Sequence, residues 1–202
     1  MPMSTQLTQN QLPQGFMLTR HQYDERGQMV FELWLQTTLA QLNKLSQPID
    51  QECASSTVVD VQILIRDQDA ICFVAEADFD ALLDAINQQQ ITCRHERVNL
   101  KSFDHQPVIA LYTKSLRSYH KLRNVAQTYQ IELLEDDIKP IDRYLMERFI
   151  KGEVSFWGDL VPTDSQTNHY YRVENGQVRA GAYEPSSLSI LSVDIECNEQ
   201  GE

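Results

Sequence analysis

The chain has 202 residues, enough for one large domain or two small ones with a buried core. Its 17 basic and 29 acidic residues leave a formal charge of −12, which argues against an unaided nucleic-acid binder, because phosphate contacts need a basic stripe. No apolar run reaches membrane-span length, and the N-terminus lacks the charged and apolar regions of a signal peptide. Four scattered cysteines (Cys53, Cys72, Cys93, Cys197) include no C-x-x-C pair, so a reducing cytoplasm without structural disulfides or zinc is expected.

Residues 1–14 are rich in Gln, Thr and Asn and read as a mobile tail. From Gly15 the pattern changes. Residues 16–21 and 29–37 read as two strands joined by a turn at 24–27, where Gly27 can supply positive φ. Residues 38–56 read mostly as loop, with Leu39, Leu42 and Leu45 hinting at one short helix. The β-branched run 57–65 is a third strand. This antiparallel β portion is expected to span 15–66.

Residues 67–136 follow a different plan. An apolar strand at 70–75 precedes a helix that Asp78 can cap, with Phe79, Leu82, Leu83 and Ile86 at helical spacing. Strands at 91–100 and 107–113 follow. Ser115 then opens a helix through Leu116, Tyr119, Leu122, Val125 and Ala126, and residues 130–135 close the series. The order β-α-β-β-α-β predicts an α+β chain with a ferredoxin-like unit, two helices lying on one face of an antiparallel sheet.

Residues 137–187 read as a connecting helix and a hairpin. Pro140 suits a first helical turn, and the helix is expected to reach Gly152. Asn175-Gly176, between apolar runs at 170–173 and 177–180, is a strong hairpin-turn signal. The chain closes on a strand-length apolar run, LSILSVDIEC at 188–197, which reads as the start of a further sheet cut short. Strand alternation places Asp194 and Glu196 on one face, roughly 7 Å apart. Two such carboxylates suit a hard cation such as Mg²⁺. On spacing alone, a solvated strand end explains them better.

Four runs change that balance: GFMLTRH at 15–21, LKSFDHQPV at 100–108 followed by Leu111 and Tyr112, RYLMERFI at 143–150, and VDIE at 193–196. Their order resembles the bacterial polymerase II branch of the family B DNA polymerases, from about Gly15 to the last residue. The resemblance implies an N-terminal domain followed by the first strand of a truncated 3′→5′ exonuclease domain at 188–202. It implies Asp194 and Glu196 as metal-binding catalytic residues of that exonuclease, acting with Mg²⁺. Two-metal hydrolysis needs carboxylates that clamp a pair of ions. Half of such a site should leave this chain an inactive scaffold. For the intact protein, the resemblance implies DNA primer-template and deoxynucleotides as partners, a sliding clamp as a further candidate, and a cytoplasmic, nucleoid-associated location in replication, repair or lesion bypass. An open strand edge in the fragment also invites dimerisation.

The competing class is an acidic, RNA-recognition-like binding module without enzymatic activity, stacking bases on Phe73 and Tyr112. Its Gly-aromatic-Gly signature is missing and the unit is acidic, so Phe73 as core and Tyr112 as a half-buried strand residue are preferred. The five histidines (His21, His95, His105, His120, His169) show no metal-ligand spacing. The acidic run 132–137 reads as a solvated face. Arg143 and Arg148 are read as anchors for carboxylates elsewhere in the domain.

Overall fold

A computed structural model describes residues 12–45, 56–161 and 170–183. Two sheets share one hydrophobic core. The first is a closed five-stranded barrel in the order β1-β2-β3-β9-β8, made of β1 (Gln14–Glu25), β2 (Gln28–Thr38), β3 (Val58–Ile65), β8 (Glu153–Val161) and β9 (Tyr170–Ala180). Closure removes the unpaired edges that an open sheet would expose.

The β1–β2 hairpin forms as its sequence predicts. Arg26 (φ 52°) and Gly27 (φ 81°) both take positive φ, the two-residue turn whose twist matches that of the flanking strands. On β2, Met29, Phe31, Leu33 and Leu35 alternate into the interior and are essentially inaccessible. Val61, Ile63 and Ile65 of β3 meet them. The hinted helix is one turn long, α1 (Leu39–Leu42), with Thr38 Oγ1 accepting from the Gln41 backbone N–H.

The second sheet has the order β5-β6-β4-β7, all antiparallel: β4 (Ala70–Ala75), β5 (Arg94–Lys101), β6 (Pro107–Thr113) and the two-residue β7 (Leu133–Leu134). Helices α2 (Phe79–Gln88) and α3 (Leu116–Thr128) bury Leu82, Ala85 and Ile86, and Tyr119, Leu122 and Ala126. Cys72 and Val74, paired with Leu111 and Ile109, are fully buried with them in the same core cluster. Asp78 does not cap α2. It sits in a 3-10 turn (Glu76–Asp78) without a side-chain cap bond, while Ser115 does cap α3.

Three expectations are corrected. Asn175-Gly176 is not a hairpin turn but a bulge within β9, where Asn175 takes φ 50° and the β8 register slips around Gly158. A Cβ on Gly176 would come within 2.2 Å of Ile63 Cγ2, so the bulge needs glycine for space. The same local conformation serves a turn or a bulge, and only the neighbouring strands decide which. Second, β8 and β9 do not merely connect. They close the barrel, β9 pairing with β3 in parallel and β8 with β1, so these two strands belong with the first β portion. Third, the end of the supposed tail is packed. Leu12 is buried, and the Pro13 carbonyl accepts from Phe156 N–H. The helix α4 (Pro140–Met146) is shorter than expected, with Phe149 at φ 55° just beyond it.

Candidate functional site

Asp194 and Glu196 lie outside the described residues. So does the whole run 188–197 that carries them. Among the described residues no group of three or more His, Cys, Asp or Glu side chains is arranged to hold a metal ion.

Of the runs that carried the resemblance, 143–150 occupies the seam between the two sheets. Helix α4 buries Ile141, Tyr144 and Leu145, and Ile150 follows just after it. Tyr144 meets Phe31 of the barrel edge-to-face at 5.3 Å, and the Arg148 guanidinium lies 3.6 Å above the Tyr144 ring. Burial pushes the Tyr144 hydroxyl above its ordinary pKa. Toward the other sheet, Arg143 pairs with Glu135 and Glu147 and lies 5.4 Å from the Phe73 ring. Two more bonds tie α4 to β1: Arg20 to Asp142, and the Ile141 N–H to Gln22 Oε1. The run at 143–150 is therefore a rivet. Arg143 does anchor carboxylates, and its side chain is only 14% exposed.

The acidic run 132–137 is likewise more than a solvated face. Glu135 holds Arg143, and Asp136 holds Arg123 at 2.7 Å while its carbonyl accepts from the Tyr119 hydroxyl.

A second tie had no signal in the sequence. Asp24, at the end of β1, accepts from the backbone N–H groups of Leu116 and Arg117 at 2.7 and 2.9 Å. A carboxylate from one sheet thus sits at the N-terminus of the other sheet's helix, where the unpaired N–H groups and the helix dipole favour it.

Phe73 and Tyr112 do share the face of the second sheet opposite its helices, with Ile71 facing Tyr112 across the β4–β6 register. Both rings have partners: Arg94 lies 3.7 Å from the Tyr112 centroid, and Arg143 stands by Phe73. Arg94 and Arg97 are paired in turn with Asp69, Glu96 and Glu76. The remaining run, 100–108, forms the β5–β6 turn, with His105 at φ 62° and Phe103 fully exposed.

No protein-family model matches the chain. It is similar to the DNA polymerase II of Escherichia coli (strain K12), 27% identical over 188 residues that span 93% of this chain and 20% of that protein. The resemblance is to bacterial DNA polymerase II. The fold agrees: a family B DNA polymerase from the hyperthermophilic archaeon Pyrobaculum calidifontis superposes with a TM-score of 0.52, covering 85% of this chain and 21% of that one at 14% identity. The chain thus spans about a fifth of the length of the polymerases it matches. The polymerase II likeness covers nearly the whole chain, both sheets and the rivet included.

Proposed function

We propose that this chain is the N-terminal region of a DNA-directed DNA polymerase of family B, a scaffold that organises primer-template and deoxynucleotides against catalytic parts of the intact protein. One observation carries the reading: the likeness to DNA polymerase II runs through 93% of the chain. The second sheet, with its β-α-β-β-α-β order and strand arrangement β5-β6-β4-β7, is read as a ferredoxin-like unit docked on a barrel. Asp194 and Glu196 are read as the first two carboxylates of a 3′→5′ exonuclease. They would present acidic oxygens to Mg²⁺, whose chemistry when bound is to activate water and stabilise the leaving oxygen.

The test uses the intact gene product. Template-directed incorporation and Mg²⁺-dependent release of nucleotides from single-stranded DNA are both expected. Asp194→Ala with Glu196→Ala should abolish release and leave incorporation in place. This chain alone should do neither. An intact product that incorporates nothing on a primed template would overturn the polymerase reading, and release by the isolated chain would overturn its role as a scaffold.

A further inference from the structure

We propose that the recess between the β5–β6 turn, β7 and α4 docks a polypeptide segment that inserts one large apolar side chain with a carboxylate beside it. The recess holds about 360 Å³, room for one such side chain, and its apolar walls are Phe73, Leu100, Phe103, Val108 and Leu134. Leu100 is 54% exposed and Phe103 103%. Large apolar side chains left open beside a concavity mark interaction surfaces. The turn that carries Phe103 is held in place. Ser102 N–H donates to the Gln106 carbonyl at 2.9 Å, the Ser102 hydroxyl accepts from Gln106 N–H at 3.2 Å, and His105 N–H donates to the Ser102 carbonyl at 3.0 Å. A rigid turn displaying an aromatic ring loses little entropy on binding.

Charge decides the class of occupant. Arg143 is matched by Glu135 and Glu147, though its buried Nε has no acceptor among the described residues, while Lys101, also in the lining, forms no ion pair with any described residue. The recess therefore offers one unpaired ammonium, that of Lys101, and one unmatched guanidinium N–H on a chain of net charge −12. That favours a single carboxylate next to an apolar anchor over a polyanion, which the rest of the chain repels. The neighbouring Tyr112 and Phe73 rings are flanked by Arg94 and Arg143, which leaves Phe103 as the open ring of the recess, and the net charge of −12 disfavours a polynucleotide upon it. This inference does not depend on the exonuclease assignment, since the chain alone should show it.

The experiment is a two-dimensional NMR titration of the full chain with two short synthetic peptides, one carrying a tryptophan flanked by glutamates and the other the same residue flanked by lysines. Shifts are expected at Phe73, Lys101, Phe103 and Leu134, with the glutamate peptide binding at least about fivefold more tightly. Phe103→Ser and Lys101→Glu change exposed side chains, so the fold should persist in both. Each should weaken the glutamate peptide about fivefold or more, and Lys101→Glu should erase the preference between peptides. No shifts at millimolar peptide, shifts confined elsewhere, or undiminished binding of the glutamate peptide by either variant would overturn the proposal. So would a thymidine oligonucleotide that moves the same resonances more strongly than either peptide.

Discussion

Cys72 and Arg179 are two residues whose burial has opposite consequences. Burial pushes the Cys72 thiol from 9.0 up to about 12. In the unfolded chain the thiol ionises first, so its contribution to stability is complete below about pH 9 and is lost as pH rises toward 12. Urea midpoints at about pH 8 and 10.5 should fall less in Cys72→Ala than in the wild type. Tyr119 and Tyr144, also raised by burial, leave a residual slope of the same sign. Arg179 is a half-buried cation that is only partly matched. Its Nε and Nη2 have no hydrogen-bond partner among the described residues, and neither does the buried hydroxyl of Ser155, directly opposite it across β8–β9. An unmatched guanidinium costs desolvation energy with no return, so Arg179→Met should hold stability or raise it by up to about 2 kcal/mol in urea unfolding. A loss above about 1 kcal/mol would show that the guanidinium does have a partner.

Among the elements, α3 depends on a residue far away in sequence. Ser115 caps it locally, its Oγ accepting from Ser118 N–H at 3.1 Å, while Asp24 takes two further N–H groups. Asp24→Ala should cost about 1 kcal/mol and Asp24→Asn less, since the amide oxygen still accepts but no longer carries charge. Chemical denaturation at low and high salt separates the two contributions. Only the charged one should shrink with salt.

For the whole molecule, α4 sets cooperativity. Tyr144 is the contact that joins Phe31 to the Arg148 and Arg143 side of the seam. Tyr144→Ala should cost about 3 kcal/mol or more, within the range for deleting a buried aromatic ring. Both tryptophans, Trp34 on β2 and Trp157 on β8, lie in the barrel, whereas the long helices α2 and α3 belong to the other sheet. Tryptophan fluorescence and far-ultraviolet circular dichroism should therefore report one transition in the wild type and two separated transitions in Tyr144→Ala. Coincident transitions in the variant would show that Asp24 and the shared core hold the sheets together without α4.

Local periodicity and turn chemistry sufficed to place most strands, both long helices and the β1–β2 turn, because side-chain alternation and positive-φ residues act over a few positions. The sequence also carried the resemblance, through runs that were legible as strings before any reason for them was visible. Tertiary structure decided what those runs do. RYLMERFI is a rivet because Phe31 and Phe73, far apart in the chain, lie on either side of it. Asn175-Gly176 became a bulge because β3, more than a hundred residues earlier, supplies the partner that a free hairpin would lack. Parallel pairing, barrel closure and the helix capped by Asp24 all bring distant residues together at an entropic cost that no local pattern records.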